Sequence, residues 1–62
     1  MWTFLTDNKT GIELLVNMGM VERVEGRSRG SALYYTYRRR PVRVTESLHE
    51  ISKRLSVPKR RK

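Results

Sequence analysis

Apolar and polar positions along this chain follow two different rhythms. From Met20 to Glu25 they alternate one by one, Met20, Glu22 and Val24 against Val21, Arg23 and Glu25. From Ala32 to Arg38 the chain carries Leu33, Tyr34, Tyr35, Thr36 and Tyr37, aromatic and β-branched types that suit a pleated, half-buried surface. Between these runs lies Gly26-Arg27-Ser28-Arg29-Gly30-Ser31, where two glycines free the backbone and nothing asks to be buried. The pattern predicts a β-hairpin with an arginine-bearing tip.

Residues 6–19 follow the other rhythm. Ile12, Leu15 and Val16 recur at i, i+3 and i+4, with Leu14 and Met18 beside them. Thr6 or Asp7 suits an N-cap, and Thr10 to Glu13 has capping-box spacing for a later start. Gly19 fits as the left-handed residue that ends a helix, with Met20 folding back onto Leu15. A first helix is therefore expected here. Before it, Trp2 and Phe4 alternate with Thr3, as in a short strand or an extended arm.

After the hairpin, Pro41 has no N–H to donate and should end the strand ladder. Val42-Arg43-Val44 reads as an extended link, and Thr45 as the cap of a second helix with Glu46 in its first turn. Val44, Leu48, Ile51 and Leu55 are spaced 4, 3 and 4, the spacing of a helix–helix seam, and the stripe serves equally to pack on the hairpin or to join two copies. Val57-Pro58 stops that helix. Residues 1–57 are expected to form one domain, and residues 58–62 a basic tail.

Charge changes the picture most. Fourteen Lys and Arg against six Asp and Glu give a formal net of +8. The excess is uneven, −1 over residues 1–20 and +9 over residues 21–62. Six arginines (Arg27, Arg29, Arg38, Arg39, Arg40 and Arg43) fall within 17 residues, with no acid between Glu25 and Glu46. Guanidinium forks match phosphate oxygens and enter narrow minor grooves, so this density points to a polyanion.

In that light the order of pieces resembles the second half of a winged helix-turn-helix domain. The residues that carry the likeness are Ile12-x-x-Leu15-x-x-x-Gly19-Met20-Val21, then Glu22 to Gly30, then Leu33-Tyr34-Tyr35. The resemblance covers about residues 6–40. It implies an α+β fold (helix, two-stranded hairpin wing, C-terminal helix) with one helix in the major groove and the wing on the backbone or in the minor groove. It further implies Asn8, Lys9, Thr10 and Glu13 as helix readers and Arg27, Ser28 and Arg29 as wing contacts. The family has two further helices before the recognition helix, and here only five or so residues precede it. A homodimer would cover the face they leave open.

Candidate nucleic-acid contacts are thus Lys9, Thr10, Arg27, Ser28, Arg29, Arg38, Arg39, Arg40 and Arg43, with Lys59 and Arg60 of the tail adding phosphate affinity. Candidate dimer contacts are Trp2, Phe4, Val44, Leu48, Ile51 and Leu55. The expected function is a small dimeric double-stranded DNA-binding protein, a transcriptional regulator or an architectural protein. Two alternatives stand beside it. One is RNA or ribosome binding with Tyr34, Tyr35 and Tyr37 as a stacking platform. The other is a basic module that docks acidic proteins.

Catalysis is not expected. The chain has one histidine, His49, no cysteine, scattered carboxylates and no phosphate loop, so neither a metal, a cofactor nor a small-molecule substrate is implied. Met1 to Leu5 lacks the basic lead and long apolar core of a signal peptide, and no apolar run is long enough for a membrane span. A soluble, cytoplasmic and nucleoid-associated protein is the expectation.

Overall fold

A computed structural model describes residues 1–57 of the chain. Five strands are present: β1 (Trp2–Thr6), β2 (Glu13–Asn17), β3 (Val21–Arg27), β4 (Gly30–Tyr35) and β5 (Val42–Val44). A 3₁₀ turn over Met18–Met20 precedes β3, and one helix, α1 (Leu48–Arg54), follows β5. β1 and β2 form a two-stranded antiparallel sheet, and β3, β4 and β5 a three-stranded one. The helix–hairpin–helix order of a winged helix is absent, so that expectation is corrected to a mostly β fold with a single short helix.

The two sheets meet where β1 runs past β5. Asp7 bridges Val44, the Thr45 N–H donates to the Thr6 carbonyl at 2.9 Å, and the Asn8 N–H donates to the Arg43 carbonyl at 2.9 Å. Across the molecule the strands therefore run β2, β1, β5, β4, β3.

Residues 6–19, expected as a helix, instead hold the β1–β2 turn, β2 and the start of the 3₁₀ turn. The reason lies in Asp7 and Gly11. The Asp7 carboxylate accepts the N–H groups of Lys9 (2.8 Å) and Thr10 (3.0 Å), a local bond that competes with helix formation. Those two N–H groups, Thr10 before Lys9, hold the Asp7 carboxyl below its ordinary value. Gly11, at φ +76°, then reverses the chain. The apolar run turns back along β1 with Leu14 opposite Leu5 and Leu15 opposite Phe4. Gly19, expected in the left-handed region, lies inside the 3₁₀ turn, which the Asn17 side chain caps by accepting the Gly19 N–H. Met20 does not cover Leu15; both are exposed.

The hairpin is present as β3 and β4, with a tighter connection than Gly26 to Ser31. Arg27 pairs with Gly30, leaving only Ser28 and Arg29 in the loop, and β4 ends at Tyr35. Its two glycines differ in kind. A Cβ on Gly26 would make ordinary contact with Leu48, 3.6 Å away. Gly30, at φ +100°, passes so close to β5 that a Cβ would lie 2.0 Å from the Val44 carbonyl oxygen. Only glycine lets β4 start there.

Val42 to Val44, expected as a link, pairs with β4 as β5. Pro41 thus precedes a strand instead of ending one. The cap of α1 is Ser47, whose side chain accepts the Glu50 N–H at 3.1 Å, not Thr45. Leu5, Val16, Leu33, Val44 and Ile51 form the core, with Leu14, Val24, Val42 and Leu55 packed against it. Val44 and Ile51, expected either to pack on the hairpin or to line a dimer seam, are buried with Leu33 within the chain itself and offer no surface to a partner.

One buried carboxylate fastens the assembly. Glu46 accepts from the Thr6 N–H and the Thr6 hydroxyl, each at 2.9 Å, and Arg54 lies 4.0 Å away. Its own carbonyl accepts the buried Ser31 hydroxyl at 2.8 Å. Burial alone would raise the Glu46 pKa, but the Thr6 donors with help from Arg54 outweigh it and hold the group below its ordinary value.

Candidate nucleic-acid interface

The outward face of the three-stranded sheet follows from its pleat. Arg23, Glu25 and Arg27 alternate along β3, so all three stand on one side, and Tyr34 lies opposite Arg23. Glu25 bonds both arginines, Arg23 Nε at 2.9 Å and Arg27 Nη2 at 2.8 Å. Arg27 also donates to the Tyr34 hydroxyl at 2.6 Å, and the Arg23 guanidinium sits 4.0 Å above the Tyr34 ring. Arg23, then Arg27, hold the Glu25 carboxyl below its ordinary value, and Glu25 in turn raises the Arg23 guanidinium. Arg54 is engaged as well, with Glu50 at 3.0 Å and with the Phe4 carbonyl.

The remaining cations are different. Among the described residues no salt bridge reaches Lys9, Arg29, Arg38, Arg39, Arg40 or Arg43. Two segments far apart in sequence bring three of them together, and the backbone of a third segment is held beside the first. The β1–β2 turn supplies Lys9, the chain around β5 supplies Arg38 and Arg43, and the hairpin tip supplies Arg29. Lys9, Arg38 and Arg43 line one cleft of about 310 Å³ with Asp7, Pro41 and Val42. The tip is braced against this region, because the Asn8 side-chain amide donates to the Arg29 carbonyl at 3.0 Å. The arrangement is an open concavity with three cations and one carboxylate in its wall, suited to a phosphate chain running across it.

Of the expected contacts, Lys9, Thr10, Ser28, Arg29, Arg38, Arg39, Arg40 and Arg43 are exposed. Arg27 is exposed but already held by Glu25 and Tyr34. Lys59 and Arg60 lie outside the described residues. Asn8 and Glu13, implied as helix readers, stand on no helix: Asn8 braces the hairpin tip, and Glu13 opens β2 opposite Thr6. Two residues were missed by reading the sequence, Glu25 as the partner of Arg23 and Arg27, and Asn8 as the brace. The first had a signal, since i, i+2 positions of a strand share a face.

The tyrosines separate too. Tyr34 is covered by Arg23, and Tyr35 is half-buried, with its hydroxyl pKa raised by burial and by Tyr37. Tyr37 is 68% exposed and meets Tyr35 edge to face, ring centroids 5.3 Å apart. No helix among the described residues is long and apolar enough to cross a membrane. Comparison with protein-family models, curated proteins and solved structures finds no match for this chain.

Proposed function

We propose that this protein binds nucleic acid through the phosphate backbone, using Lys9, Arg29, Arg38, Arg39, Arg40 and Arg43. One observation carries the reading. Lys9 and, from a distant segment, Arg38 and Arg43 line one cleft and take part in no salt bridge among the described residues, while Arg23, Arg27 and Arg54 are paired with Glu25 and Glu50. Double-stranded DNA is the favoured partner. Because the segment expected as the recognition helix holds β2 instead, phosphate contacts are taken to dominate over base contacts, which favours an architectural role over a sequence-selective regulator. A nucleoid-associated, cytoplasmic location goes with that role.

A second reading rests on Tyr37. Its ring is open to solvent beside three arginines, an arrangement that lets an unstacked base of RNA or single-stranded DNA lie on it. Fluorescence anisotropy with duplex DNA, single-stranded DNA and RNA of equal length, at two salt concentrations, decides between them. Duplex binding that falls steeply with salt and survives Tyr37→Ala supports the first reading. Preference for single strands, lost in Tyr37→Ala, supports the second. No binding to any of the three at low salt overturns both.

A further inference from the structure

We infer that the outer face of the β1–β2 sheet is the seat of a second copy of this chain. The register places Phe4 directly opposite Leu15, and Trp2 lies two residues along the same side of β1. All three keep more than half of their surface exposed. Thr6, Glu13 and Asn17 complete the same face as a polar rim around this apolar centre, the layout of a protein interface.

Area and charge select the occupant. Large side chains carry roughly 150–250 Å² each, so Trp2, Phe4 and Leu15 present about 350 Å² of open apolar surface. With the polar rim of Thr6, Glu13 and Asn17, each copy offers about 500 Å², and two copies come to roughly the 1,000 Å² at which specific interfaces begin. Strands β1 and β2 hold a single charged residue, Glu13, in a chain of net +8. Two such faces therefore meet with little of the repulsion that the rest of the surface would impose. Arg54, beside the Phe4 carbonyl, is held by Glu50, so among the described residues the face has no ring of free Lys and Arg of the kind that draws a protein to a lipid surface. A core of five fully or nearly buried apolar side chains is small, and a second copy adds to it the surface it lacks.

Of the expected dimer contacts, Val44 and Ile51 are buried within the chain, while Trp2 and Phe4 stand on this face, where Leu15 joins them. The inference is independent of the nucleic-acid reading. Trp2 is the chain's single tryptophan, so it reports on the face directly. Sedimentation equilibrium and tryptophan emission are measured on the full chain over a dilution series, without nucleic acid. The expected result is a species of twice the 7.4 kDa monomer mass, whose emission shifts red as it dissociates. Leu15→Lys should remain folded by circular dichroism while its dissociation constant rises at least tenfold. Arg43→Ala, on the other sheet, should associate as wild type does. A wild-type chain that stays monomeric to millimolar concentration overturns the inference, as does a dimer that Leu15→Lys leaves intact. So does a monomer whose emission shifts blue only when phosphatidylcholine or phosphatidylserine vesicles are added.

Discussion

The two sheets share one core and treat their outward faces in opposite ways. The β1–β2 sheet shows solvent Trp2, Phe4 and Leu15, with one charge at its edge. The β3–β4–β5 sheet shows arginines, a tyrosine and the carboxylate that binds two of them. In each sheet the large apolar residues of the core stand on one face, Leu5 and Val16 in the first and Leu33 and Val44 in the second. The other face is free to be specialised. In a chain of 62 residues this segregation allows two contacts of different chemistry without a second domain.

The comparison breaks most visibly at Gly30, which seats the charged hairpin against β5. Gly30→Ala forces a side chain into the Val44 carbonyl at a positive φ. We expect a loss of about 3 kcal/mol or more from strain and clash together. For a chain of this length, with a total stability of roughly 3–9 kcal/mol, that leaves little folded protein. Gly26→Ala, with ordinary contact to Leu48, should cost under about 1 kcal/mol. Urea unfolding of the two variants tests this, and equal stabilities would show that Gly30 does not set the junction.

Charge removal sharpens the contrast. Lys9→Ala with Arg43→Ala should weaken duplex DNA binding about tenfold or more and lower the salt slope by about 2. The thermal midpoint should barely move, since among the described residues neither takes part in a salt bridge. Leu15→Lys, on the apolar face, should leave the intrinsic affinity of one chain for DNA unchanged. Loss of DNA affinity in Leu15→Lys at the level of the monomer would mean that the two faces are not separate.

What the sequence disclosed follows the same division. The β3–β4 hairpin was legible because Leu33-Tyr34-Tyr35 is concentrated strand chemistry and Gly30 marks the turn. β2 was not, because Ile12 to Val16 is too short to separate periods. The same five residues place Ile12, Leu15 and Val16 on one helical face and Leu14 and Val16 on one strand face. Asp7 and Gly11 held the deciding information, as an Asx turn and a left-handed glycine. The cluster of unpaired cations was readable as composition, but its membership was not. Which arginines are neutralised depends on where Glu25 stands in the pleat, and the gathering of Lys9, Arg38 and Arg43 depends on β1 meeting β5.

A smaller effect concerns that meeting point. Glu46 has a depressed pKa in the folded state, so its contribution is complete above the ordinary value of 4.5. It is lost as pH falls through the lower folded value. Glu46→Gln should cost about 1 kcal/mol near neutrality and flatten the decline of stability between pH 5 and pH 3, in round terms. Urea midpoints measured across that range give the slope, and a wild-type slope in the variant would remove Glu46 as its source.

The smallest expected difference lies within the arginines of the hairpin. Arg29→Ala should reduce DNA binding more than Arg27→Ala, because Arg27 must leave Glu25 and Tyr34 to reach a phosphate. Both should alter stability by no more than about 0.5 kcal/mol, as exposed ion pairs generally do. Binding titrations on the two single variants provide the check, and a greater loss for Arg27 would place the contact on the sheet face instead of the tip.

The link between Thr6 and Glu46 joins positions forty residues apart, and this bears on the order of events during folding. Each hairpin closes over a short loop and can form within microseconds, whereas bringing β1 onto β5 must close nearly the whole chain. We expect that docking to be the late step. Interactions made there belong to the descent from the transition state, so weakening Thr6 or Glu46 should hasten unfolding and leave the refolding rate almost untouched. The residence time of the native protein, as distinct from its equilibrium stability, is thereby expected to depend on the junction of β1 with β5.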